Sequence, residues 1–214
     1  MRVILLFFSL FLGLTSLPAY AGDFEGVIHM KTQHSDTGTS RAMDWYLKGD
    51  KGRVETVRED GQPHVMLFDG KSRTMQIGMS GQKSYMEISL QGDRGEHLQE
   101  LIEAQSVERT GKKDKIAGYT CEVWRITDKD EHRLKSELCV AKGFGKAATF
   151  WIDPKEGRRS SQPAWVKQLA EEGGFGLRSI QYDEAGKESV RMEVVGIDKK
   201  SLDASLFAFP ADWT

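Results

Sequence analysis

Apolar and polar residues alternate with a period of two in a succession of segments between residues 24 and 90. In the stretch FEGVIHM (24–30), Phe24, Ile28 and Met30 fall on one side and Glu25 and His29 on the other. Met43, Trp45 and Leu47 repeat the pattern in 43–48, Met75 and Ile77 in 74–79, and Met86 and Ile88 in 85–90. Alternation at this period predicts half-buried strands with one covered face. The turn clusters Gly49-Asp50-Lys51-Gly52, Asp60-Gly61, Asp69-Gly70 and Ser80-Gly81 punctuate them at hairpin spacing. The strands should therefore be antiparallel, because parallel neighbours need crossovers of about a dozen residues.

Two stretches change to helical spacing. Residues 94–104 carry Leu98, Leu101 and Ile102. Residues 162–172 have Pro163 near their start, Trp165, Val166 and Leu169 on one face, and Gly173-Gly174 as a stop. A further hairpin is expected from 177–182 and 189–195, turning at 184–187, and a short helical turn at 201–207. The expected class is α+β: a large curved antiparallel sheet, a half-open barrel, with two or three helices on its apolar face.

The first residues bear on the compartment. Met1-Arg2, the apolar run Val3–Leu17 and the site Ala19-Tyr20-Ala21 have the form of a secretory signal peptide over residues 1–21. The run is shorter than the roughly 20 residues a membrane span needs, and nothing later is apolar enough to span. One domain over residues 22–214 is expected, periplasmic or secreted and not membrane-spanning. The net charge is −2 and the basic residues are interspersed with acids. Without a continuous basic face, nucleic acid is not expected as a partner.

Cys121 and Cys139 are the two cysteines of the chain. Four ligands for zinc and a C-x-x-C redox pair are both missing, whereas an even count in an exported protein favours a disulfide. If residues whose numbers sum to 260 face each other across the hairpin 119–140, Cys121 lies opposite Cys139. An even-length loop would place them on opposite faces. In that register the cystine shares the more polar face with Val123, Arg125, Lys135 and Glu137, and Trp124, Ile126, Leu134 and Leu138 line the other.

Candidate chemistry is sparse. His29, His34, His64, His97 and His132 sit in polar slots or turns without a partner at ligand spacing, so solvated surface positions are expected. The segment Asp128–Arg133 lacks the glycine of a calcium loop, and no phosphate-binding loop or nucleophile elbow is present. No enzymatic activity, cofactor or metal is expected. Six methionines between Met30 and Met86 stand out, since methionine adapts to varied apolar partners. A sheet face lined by Ile28, Met30, Met43, Trp45, Leu47, Met75, Ile77, Met86 and Ile88 would accept a lipid or another apolar ligand. The same residues would equally form a closed core, with an envelope protein as the partner.

The order of FEGVIHM (24–30), DWYLKGDKGRVE (44–55), MLFDGKSRTMQI (66–77), TGKKDKIAGYTCEVW (110–124), ELCVA (137–141) and LFAFPADW (206–213) resembles a family of exported bacterial proteins carrying a domain of unknown function. That family is similar in layout to the outer-membrane lipoprotein carrier superfamily. The resemblance implies a half-open antiparallel barrel with helices beneath it and transfers no catalytic or binding residue.

Overall fold

The computed structural model describes residues 24–57, 61–79, 82–89, 104–130, 132–145, 169 and 172–214. The strands are β1 (Glu25–His34), β2 (Ser40–Lys48), β3 (Lys51–Val57), β4 (Pro63–Asp69), β5 (Thr74–Met79), β6 (Ser84–Ser89), β7 (Gln105–Ile116), β8 (Tyr119–Asp128), β9 (Leu134–Ala141), β10 (Phe175–Tyr182) and β11 (Glu188–Lys199). They form one 11-stranded sheet in the order β6-β5-β4-β3-β2-β1-β11-β10-β9-β8-β7. Every neighbouring pair is antiparallel. Two meanders, β1–β6 and β7–β11, thus meet where β1 pairs with β11.

This corrects the α+β expectation. Among the described residues the fold is nearly all-β, with a four-residue 3₁₀ helix, Ala204–Phe207, near the C-terminus. The expected helices 94–104 and 162–172 lie outside the described residues apart from Ala104, Leu169 and Glu172, and so does the expected signal peptide. The covering assigned to helices is supplied at the centre of the sheet by the sheet itself. Ile28, Met30 and Leu47 of the first meander share one buried cluster with Cys121, Cys139, Phe144, Phe175 and Leu177 of the second. Trp45 and Phe175 meet edge to face at 6.3 Å, although β2 and β10 stand three strand spacings apart, about 14 Å in a flat sheet. Twist and curl of the sheet bring the two halves together on this side, called the inner face below.

Bulges make the meeting possible. One residue is inserted in β11 at Val195 and one in β10 at Leu177. A one-residue insertion switches which side of one strand matches which side of the next. Phe175 therefore stands opposite Ala141, whereas beyond the bulge Ser179 stands opposite Leu138. The first side joins the central cluster. The second leads to a separate group of Trp124, Val140 and Leu169, with the Arg109 guanidinium 5.0 Å over the Trp124 ring.

Cys121 and Cys139 are disulfide-bonded, with Cα atoms 5.3 Å apart. The register differs from the expected one by two residues. Numbers sum to 262 over Glu122–Ile126, so Val123 faces Cys139 and the cystine runs diagonally. The parity argument survives this shift and the assigned environment does not. Both cysteines are 2% exposed within the central cluster, because the bulge in β10 turns that part of the ribbon inward.

Candidate functional site

The pairing register sorts the first meander into rows. Ile28, Trp45, Val54, Met66, Ile77 and Met86 face one another in succession from β1 to β6. A second row runs Gly26, Leu47, Gly52, Phe68, Met75 and Ile88. A third passes from Met30 and Met43 to Thr56 and His64. Residues directly opposite share a face, so all nine residues of the expected apolar lining lie on the inner face.

Burial divides them into two zones. On β1 and β2, Ile28, Met30 and Leu47 are buried in the central cluster, and Met43 and Trp45 pack against it. The Trp45 indole N–H reaches the Met43 sulfur at 2.9 Å. This zone is packed core. On β5 and β6, Met75, Ile77 and Ile88 are only half-buried and Met86 is 50% exposed, with Met79 beside them at 42%. This zone is an apolar surface.

Val54, Met66 and Phe68 belong to the same rows but were not legible as lining residues. β4 reads PHVMLFD, a continuous apolar run without alternation. Such a run signals a strand covered on both faces. Val65 and Leu67 face outward and are buried there.

The C-terminal segment covers that outer face. Leu202 and Phe207 pack on Val27, with Tyr46 and Leu206 beside them. Charged clips hold the segment down. Lys48 Nζ donates to the Leu202 carbonyl at 2.5 Å, Arg53 donates to the Leu206 carbonyl at 2.8 Å, and the Leu202 N–H donates to Glu25 at 2.6 Å. That N–H, together with Lys48, holds the Glu25 carboxyl below the usual range. Tyr46 donates to Glu55, and burial beside this carboxylate pushes its phenol up to about 12. Further along, Phe209 stacks between Tyr85 and Trp213 above Gly78, where a Cβ would stand 2.7 Å from the Phe209 ring. Thr214 then exchanges main-chain bonds with Lys83 and Tyr85 at the start of β6.

His29 is not simply solvated. Its Nδ1 lies 2.7 Å from Asp44 and its Nε2 3.4 Å from Asp198. The Asp44 hydrogen bond, with Asp198 adding to it, raises the imidazole above its ordinary value against a smaller effect of burial. His34 and His64 are half-buried, His132 is exposed, and His97 lies outside the described residues. Among the described residues, no three His, Cys, Asp or Glu side chains stand together as a metal-binding set.

The model of a family defined by a domain of unknown function, DUF4412, matches residues 24–213. The chain belongs to this family. No curated protein sequence matches the chain. Among solved structures, the DUF4412 chain is similar to MucB, crystallised in complex with MucA(peri), at 14% identity and a TM-score of 0.49 over 88% of this chain and 55% of that one. It therefore spans little more than half of MucB. An uncharacterised conserved protein from Thermus thermophilus gives 14% identity and a TM-score of 0.49, with 88% of each chain covered. A domain assigned as an outer membrane lipoprotein-sorting protein, from Vibrio parahaemolyticus, gives 10% identity and a TM-score of 0.37 over 87% of this chain and 90% of that one. At these scores the likeness is one of layout and bears no functional argument. Among the described residues no helix is long and apolar enough to cross a membrane.

Proposed function

We propose that this DUF4412 chain is an exported, non-enzymatic envelope protein that binds a lipid or another apolar ligand on the inner face of β4–β6. One observation carries the reading. A single row of apolar side chains begins in sealed core at Ile28 and ends in solvent at Met86, which is half exposed. Exposed apolar surface of this kind marks a place where something binds, and its methionines suit chains of varied shape. Ligand and protein core then form one continuous apolar layer.

Export rests on two supports. The signal-peptide pattern of residues 1–21 routes the chain out of the cytoplasm. The cystine persists where thiols are not kept reduced.

A second reading is favoured by the packed zone. Met30 and Trp45 are committed to the central cluster, so among the described residues that end of the face is filled by packed side chains. On this reading the outer zone receives an apolar segment of an envelope protein instead of a lipid. Native mass spectrometry of gently purified protein, with solvent extraction of any adduct, separates the two. Lipid-sized adducts support the first reading. A clean apo mass over repeated preparations removes it in favour of the second.

A further inference from the structure

The opposite face of β4–β6 carries a hollow of different chemistry. It has a volume of about 470 Å³ and lies between the strands and the C-terminal segment. Part of its lining is aromatic, the near-parallel stack of Tyr85, Phe209 and Trp213 with centroids 5.2 and 4.9 Å apart. The rest sets five polar side chains, Asp69, Ser72, Thr74, Gln76 and Glu87, among apolar residues that include Leu67, Phe68 and Phe207. Among the described residues, those lining it include no Lys, Arg or His.

Hydrogen bonds hold these polar groups in place. Gln76 Nε2 donates to Glu87 at 2.8 Å, the N–H groups of Lys71 and Ser72 donate to Asp69, and the Ser72 and Thr74 hydroxyls bond each other at 2.7 Å. A carboxylate oxygen accepts more than one hydrogen bond, and the Gln76 carbonyl oxygen is a further acceptor. The aromatic part is preset as well, because Gly78 leaves the space in which Phe209 lies.

We propose that this hollow is a binding site for a neutral saccharide. An anionic ligand would meet Asp69 and Glu87 with no cation among the described lining residues to offset them. An acyl chain would remove water from five polar side chains and return no hydrogen bonds. A pyranose fits both parts of the lining. Its C–H face lies on an aromatic ring, and its rim hydroxyls donate to the carboxylates and accept from the Gln76 amide. The volume falls in the range of small-ligand sites. An organic ammonium ion would also suit rings and carboxylates, but it has no use for the hydroxyls or the amide. The site is independent of the apolar inner face, and either can fail alone.

The test is calorimetric and NMR titration of the folded chain with chitobiose, maltose, cellobiose and lactose, and separately with tetramethylammonium chloride. At least one disaccharide is expected to bind with little dependence on salt, shifting amides of residues 69–87 and 207–213. Gln76→Leu and Trp213→Ala should each weaken it about tenfold, the scale of one lost hydrogen bond or ring contact. Gln76→Leu should leave the thermal melt unchanged, which guards against misfolding of the tryptophan variant. Failure of all four disaccharides to bind, shifts confined to other residues, or salt-sensitive binding of tetramethylammonium alone would each overturn the proposal.

Discussion

Ile28 and Met86 stand at the two ends of one row of six paired residues, on the same face of the same sheet. Ile28 is fully buried and Met86 is 50% exposed. Their substitutions should therefore differ in kind. Ile28→Ala is expected to cost about 2–5 kcal/mol in a denaturant melt, as for other large-to-small core changes. Met86→Asp should change stability by less than about 0.5 kcal/mol, as surface substitutions do, while weakening the binding of a fluorescent acyl probe. Loss of stability without loss of probe binding in Met86→Asp would place this residue in the core.

Gly78 is required for a packing reason. A Cβ at this position would stand 2.7 Å from the Phe209 ring and 3.2 Å from Trp213. Gly78→Val is expected to lift the Tyr85–Phe209–Trp213 stack and cost about 1–3 kcal/mol, the range of overpacked sites. Tryptophan fluorescence should shift toward that of solvated indole. An unchanged emission spectrum would mean that the stack rearranges around the new side chain.

The cystine closes a loop of sequence separation 18 inside the central cluster. Replacing both cysteines by alanine should lower stability by about 3 kcal/mol in the chain-entropy model, plus the loss of two buried sulfurs. Because both cysteines are buried, reduction of the native protein should be slow without denaturant. Mass spectrometry after alkylation measures this, and rapid labelling under native conditions would contradict it.

His29 predicts a pH dependence of one sign. Its folded-state value is raised by Asp44 and Asp198, so protonated His29 favours the folded chain. Its contribution is fully present below the unfolded value of about 6.5 and is lost as pH rises through the raised folded value. The Tm of His29→Gln should therefore approach that of the parent at higher pH and fall below it in mild acid. Paired Tm curves across that window measure the effect, and equal gaps at both ends would exclude a titration of His29.

Strand alternation was legible where large apolar side chains recur at every second position, as in β1, β2, β5 and β6. The rows of lining residues then follow from hairpin pairing, since each step preserves the face. β4 was obscured because apolar cover on both sides removes the period of two. β7 was obscured by its charge, QSVERTGKKDKI, and by its turn to β8. That turn uses Ala117 at φ 47° followed by Gly118 at φ 85°, where the usual signal is Asn-Gly or Asp-Gly, and the chain contains no Asn. The site of the cystine was misjudged because bulges at Leu177 and Val195 change the match of faces between strands distant in sequence. Alternation within a hairpin carries no trace of them. The hollow under the C-terminal segment was equally hidden, since it joins β4–β6 to residues more than a hundred positions away.

The most direct measurement is photo-crosslinking of the purified chain with a diazirine fatty acid, followed by peptide mapping. The account predicts adducts concentrated on peptides bearing Met66, Met75, Ile77, Met86 and Ile88, reduced in Met86→Asp. Adducts spread evenly over the surface, or confined to peptides away from β4–β6, would contradict it.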